Sequence, residues 1–226
     1  CYTAIEGQRK SEIRLTERPS EDFSSHRRTD TPQSVRPKGV KHMNNNQFTE
    51  KSREALQNAQ QLTVEYQNQE MAQEHLACAL LSDPQGLIPQ LLTKMGKNPQ
   101  ELLSRLQTMI ARIPKVTGSG READKIYISN DVDRALIAAK ERAEQMKDEY
   151  MSVEHLFMGL LEKPTRSMKE LWDSYAITLN AFLPVLQSVR GNSRVTGETP
   201  EDTYDALAKY GTDLTAAART PKLDPV

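Results

Sequence analysis

The sequence predicts an all-α protein made of two tandem four-helix units, eight helices in all, and three observations carry that expectation. Aromatic residues are only 5% of the chain, while Ala, Leu, Gln and Glu are abundant. That balance favours helix over sheet. The phrases EHLACALL (Glu74 to Leu81) and EHLFMGLL (Glu154 to Leu161) stand 80 residues apart. Shifting the chain by 80 aligns 48–107 with 128–187 without a gap. Ala55/Ala135, Leu56/Leu136, Ala59/Ala139, Met71/Met151, His75/His155, Leu80/Leu160, Pro84/Pro164, Leu91/Leu171 and Leu106/Leu186 are among the identical pairs. Such self-similarity at a fixed period marks a duplicated structural unit.

In the first unit, about 48–113, Thr49 is placed to cap a helix whose apolar stripe is Phe48, Ala55, Leu56, Ala59, Leu62 and Tyr66. A second helix covers about 73–82 and stops before Pro84. A third covers about 87–95 and ends at Gly96. The fourth takes Asn98 as cap and Pro99 at its first position, then buries Leu102, Leu103, Leu106, Met109, Ile110 and Ile113. In the second unit, about 128–190, Ser129 caps the fifth helix, with Val132, Ala135, Leu136, Ala139 and Met146 turned inward. Ser152 caps the sixth, and a seventh follows Pro164. Pro184 falls inside the eighth, where its ring opposes the preceding turn, so a late start or a kink is expected there.

Outside these units the chain reads differently. Residues 1–44 mix charges with Ser, Thr and Pro and show almost no periodic apolar spacing, so they are expected to be disordered. The chain opens on Cys rather than Met, which points to a fragment or an over-extended reading frame with Met43 as the natural start. VTGSGREADKIY (116–127) is expected to be a flexible loop between the units. It lacks the GxxxxGK[ST] spacing of a phosphate cradle. Residues 192–226 read as a polar linker with short helices at about 201–209 and 213–219.

Several functions are disfavoured by the same sequence. The net charge of -1 argues against nucleic-acid binding driven by bulk positive charge. No apolar run reaches the length needed to span a membrane. Two cysteines, Cys1 and Cys78, imply no disulfide framework, and a cytoplasmic location is expected. His75 and His155 lack the companion ligands of a zinc site, and no nucleophile partner accompanies them. Capping and packing at helix starts is the expected role of the EH pairs, with Glu facing the exposed N–H groups. No metal, cofactor or catalytic residue is assigned.

FTEKSREALQNAQ, EHLACALL, RIPKVTGSG, DEYMSVEHLFMGLL and YDALAKYGTDLTAAARTPKLDPV together resemble the N-terminal region of ClpB-type AAA+ disaggregases, over roughly Asn45 to Val226. The resemblance implies a domain at 45–191 that engages unfolded or aggregated polypeptide and passes it to an ATPase ring. ATP and Mg belong to that ring; the sequence ends before any Walker motif, so this chain is expected not to be an enzyme. As an isolated domain it is expected to be monomeric, binding neither nucleic acid nor membrane. A related alternative is the adaptor-docking N-domain of the ClpC or ClpA type. Two local departures stand out: Ala72 replaces a small hydroxyl cap before the first EHL, and Pro221 replaces a linker Gly. The resemblance further implies client-binding roles for Thr49, Asp148 and Glu154. Asp148 falls near the C-terminal end of the fifth helix, where a carboxylate opposes the dipole. Neutral Asn68 takes its place in the first unit, so the fold is expected not to need that charge.

Overall fold

The computed structural model describes residues 45–116, 126–191 and 193–200. The segment 1–44, most of the inter-unit loop and the short helices expected beyond residue 200 lie outside them. The described residues contain the two four-helix units: α1 (Glu50–Glu65), α2 (Gln73–Leu81), α3 (Leu87–Lys94) and α4 (Pro99–Arg112), then α5 (Asn130–Met146), α6 (Val153–Glu162), α7 (Arg166–Ser174) and α8 (Leu179–Arg190). A short 3-10 turn, Asn45–Gln47, precedes α1.

The helix ends follow the capping chemistry of the sequence. Thr49 Oγ1 accepts the Ser52 N–H, Asn98 Oδ1 accepts those of Gln100 and Glu101, and Ser129 Oγ accepts that of Val132. Gly96 closes the α3 turn at φ 72, and Ala176, its counterpart after α7, adopts φ 48. The expected late start of α8 is corrected. It begins at Leu179 behind the Thr178 cap and runs through Pro184. Phe182 and Leu186 bury one face and hold the helix together, while the carbonyl freed by the proline belongs to Asn180, on the solvent side.

Two small pairings absent from the sequence reading join the units. β1 (Glu70–Met71) lies parallel to β2 (Tyr127–Ile128), with Met71 opposite Ile128. Phe48 forms the corresponding bridge with Met151. Phe48 and Ile128 are equivalent positions of the repeat, as are Met71 and Met151, so each unit lends the other the same contact. The hydrogen bonds obey that exchange: Thr49 N–H donates to Met151 C=O at 3.0 Å, and Ser129 N–H to Met71 C=O at 3.1 Å. These reciprocal bonds satisfy backbone groups that would otherwise be orphaned at the entrances to α1 and α5.

The core is continuous across the units. Every residue of α2 is buried, and so are Val153 to Leu160 of α6, which makes these the central helices. Unit two fills its interior with Phe157, edge-on to Trp172 at 5.6 Å and tilted on Phe182 at 5.1 Å. Unit one places the smaller Ala77, Leu92 and Leu102 at the matching positions. α6 approaches α5 closely at Gly159, where an added Cβ would sit 2.2 Å from the Ala135 carbonyl oxygen. Gly159→Ala should therefore destabilise the protein by about 1–3 kcal/mol, although alanine is the better helix former. Urea unfolding checks this, and a stabilised variant would mean that the helices part freely.

Candidate functional site

Each unit carries a buried polar cluster at the start of its central helix. In the first, Ala72 N–H donates to His75 Nδ1 at 3.0 Å. That bond leaves the ring proton on Nε2, which faces Asn68 Oδ1 at 2.9 Å. Asn68 Nδ2 then reaches the Ile113 and Pro114 carbonyls, both at 3.3 Å, and so fastens the chain leaving α4. Histidine thus accepts the N–H of the residue at the helix entrance, while Ala72, standing where a hydroxyl was expected, gives no side-chain cap. Burial pushes the His75 pKa down to about 4, against a lesser opposing effect of the Ala72 bond. The ring is neutral near pH 7.

The second unit repeats the layout with charges. Ser152 N–H donates to His155 Nδ1 at 3.1 Å, and His155 Nε2 lies 3.0 Å from Asp148 Oδ2. Asp148 occupies the Asn68 position, and Arg190 stands where the first unit has Ile110. Asp148 Oδ1 accepts from both Arg190 Nη2 and the Val195 N–H. Burial alone would raise the Asp148 pKa; His155, Arg190 and the Val195 N–H outweigh it and hold the carboxyl below its ordinary value. The expectation that the fold does not need this charge is thereby corrected. Arg190, almost fully buried, requires an anion, and Asp148 supplies it.

The structure brings two of the three sequence-selected residues together and sets the third nearby. Glu154 lies 3.7 Å from Arg190 Nη1, so Asp148 and Glu154 share one guanidinium. Neither Glu154 oxygen makes a hydrogen bond to a described residue. Thr49 caps α1 and is tied through its N–H to Met151, in the connection from α5 to α6. The Asp148 and Glu154 side chains, and Thr49 as a whole, are 0% exposed. Arg190 escaped the sequence reading, although a cation opposite Ile110 in an otherwise apolar register was a usable signal. Cys78 is also buried, which raises its thiol to about 11, with Glu65 adding to the shift.

A groove opens beside this cluster. Its floor is Ala55, Ala79, Leu80, Leu87, Ile88 and Val153, with Lys51, Glu54, Asn58 and Asp83 at its sides. The repeat shows what fills the equivalent place in the second unit. There Gln73, the counterpart of Val153, is fully buried between α5, α6 and α7. Its Nε2 donates to the Asp131 and Lys163 carbonyls at 2.9 and 2.7 Å, and its Oε1 accepts the Thr165 N–H at 2.9 Å. In the first unit the matching turn satisfies itself, through Gly86 N–H to Asp83 C=O and Gln85 N–H to Asp83 Oδ1. Val153 is too short and too apolar to act as a plug. One niche of the pair is closed by the chain itself and the other stands open.

Comparison with known proteins places these features among relatives. A family model described as the Clp repeat (R) N-terminal domain matches residues 47–174. A chaperone protein ClpB from Nitratidesulfovibrio vulgaris is 44% identical over 180 residues, covering 79% of this chain and 21% of that protein. One from Bacillus anthracis is 40% identical over 184 residues, covering 81% of this chain and 21% of the relative. The chain thus spans about one fifth of the length of these relatives. The N-terminal domain of Hsp104 from Candida albicans shares the fold with a TM-score of 0.60 at 18% identity, over 68% of this chain and 98% of that one.

Proposed function

Because the chain belongs to the Clp repeat N-terminal domain family, we propose that it is the client-binding domain of a ClpB-type ATP-driven disaggregase. It takes apolar segments of unfolded or aggregated polypeptide in the open groove and presents them, in the cytoplasm, to an ATPase ring. The observation that carries this reading is the unplugged niche: an apolar floor between α1, α2 and α3, rimmed by charge, whose twin is filled by Gln73. Such concave apolar surfaces with a few polar groups are where extended ligands bind. The chain contributes binding, while hydrolysis of ATP belongs to the ring. The ClpC or ClpA type of adaptor docking is less favoured, because the relatives at 44% and 40% identity are ClpB chaperones. Thr49, Asp148 and Glu154 support the groove from behind. They hold the entrances of α1 and α6, whose residues Lys51 and Val153 line it.

The test is Val153→Gln, which copies the plug of the second unit into the first. Fluorescence anisotropy with reduced, carboxymethylated α-lactalbumin as the unfolded client should show affinity falling about tenfold, or roughly 1.4 kcal/mol. Val153 is 8% exposed, at the edge of the core beside the groove, so the melting temperature is followed in parallel and affinity is compared below the transition of each protein. Unchanged affinity in the folded variant would remove the groove from client binding.

A further inference from the structure

After α8 the chain does not leave the domain at once. Residues 193–198 turn back across the start of α1 and the connection from α5 to α6. Arg190 Nε donates to Ser193 C=O at 2.7 Å, Val195 N–H to Asp148 Oδ1 at 2.8 Å, and Glu149 N–H to Val195 C=O at 2.9 Å. Val195 is fully buried. Farther along, Glu50 N–H donates to Glu198 C=O at 2.8 Å, and Arg53 Nη2 pairs with Glu198 Oε2 at 2.9 Å. The first unit has a neutral version of the same fastening, from Asn68 to the carbonyls that follow α4. Its carboxamide gives hydrogen bonds to the departing chain, whereas the Asp148 carboxylate receives one.

We infer that residues 193–198 form a strap that fixes where the chain exits the helical domain, and that Asp148 is the positioning residue that latches it. The strap moves the exit from Gly191 to Glu198, across the face where α1 begins. Its release would lengthen the tether to whatever follows by about 20 Å in extended form. The inference rests on the reading of the chain as a tethered client-binding domain. It gives Asp148 a place in function that a side chain without exposure can fill: setting the reach and direction of the domain instead of touching the client. Arg190 serves both ends of the latch, since it orients Asp148 and holds the Ser193 carbonyl.

Glu50 offers a clean way to open the far end. It is the first residue of α1, where proline is well accepted because its missing N–H has no partner within the helix. Thr49 before it is already extended, at ψ 164, as a residue preceding proline prefers. Glu50→Pro therefore removes the bond to Glu198 and leaves the helix whole. Trypsin reads the result on the full chain, because the Arg194–Val195 bond lies within the strap. In Glu50→Pro and in Asp148→Ala, scission at Arg194 should run about tenfold faster, as proteolysis follows the population of the open form. In Glu50→Pro, cleavage after Lys140, within α5, should stay unchanged and client affinity should equal that of the unaltered chain. In Asp148→Ala, which also strips Arg190 of an anion, the acceleration at Arg194 should exceed that at Lys140. Glu50→Pro without effect at Arg194 would overturn the strap. So would scission of the unaltered chain at Arg194 as fast as in a free peptide of residues 188–200. Acceleration at Lys140 and Arg194 alike in Asp148→Ala would reduce Asp148 to general stability. Client affinity is measured separately, so a failed groove and a failed strap give different results.

Discussion

Replacing Arg190 by Met should lower the free energy of unfolding by about 3–5 kcal/mol, one of the two largest effects expected of a single substitution here. The guanidinium is almost fully buried, and the Asp148 and Glu154 side chains beside it are 0% exposed. Removing the cation leaves two carboxylates in a poorly solvated site beside His155 and the Val195 N–H. The cost arises from the charges left behind more than from the lost attraction. The repeat supplies the control. Asp148→Asn with Arg190→Ile brings in the Asn and Ile that the first unit carries at 68 and 110, and leaves Glu154 as the carboxylate of the cluster without its cation. The double variant should lose distinctly less than the sum of its single changes, with a coupling of at least about 1 kcal/mol. Urea unfolding at pH 7 followed by circular dichroism measures all four corners of the cycle. Additive losses, or a cost below about 1 kcal/mol for Arg190→Met, would show that water reaches the cluster and screens it.

The fold was readable in the sequence because both of its signals are local. Helix caps such as Thr49, Asn98 and Ser129 act over three residues, and an 80-residue shift compares positions one at a time. The strand exchange was not readable, since two residues at Glu70–Met71 show no alternation and their partners lie in the other unit. Pro184 did not delay the start of α8, because burial of Phe182 and Leu186 on either side holds that helix in place. The site was half legible. Family resemblance selected Thr49, Asp148 and Glu154, and the duplication then tempted an inference from neutral Asn68 to a dispensable Asp148. That step failed because Arg190 is 42 residues further along and meets Asp148 only in the folded chain. The same comparison, applied to Gln73 and Val153, distinguishes the closed niche from the open one, but only once the hydrogen bonds of Gln73 are known. A repeat predicts where differences matter; what each difference does depends on contacts made across the units.

Acid should destabilise the protein through His75 before it does so through Asp148. The His75 pKa is lowered from 6.5 to about 4, chiefly by burial. The unfolded chain therefore binds more protons than the folded one between those values, and stability rises with pH across that interval. The contribution is complete above pH 6.5 and is lost as the pH falls toward 4. At pH 5 it amounts to a loss of about 2 kcal/mol, and of roughly 3 once both states are protonated, at 1.36 kcal/mol for each unit of pKa. Asp148 slopes the same way, but its folded pKa lies below 3.8, so its share is lost at lower pH. Measurements at pH 7 and pH 5 thus separate the two. Glutamine is the informative replacement at position 75: its carbonyl can accept the Ala72 N–H and its amide can face Asn68, yet it does not titrate. In urea unfolding the unaltered chain should lose about 2 kcal/mol between pH 7 and pH 5, whereas His75→Gln, though weaker at pH 7, should change much less. Equal losses in the two proteins would mean that protonated His75 is accommodated in place, with Ala72 giving up its bond and the helix entrance opening to water.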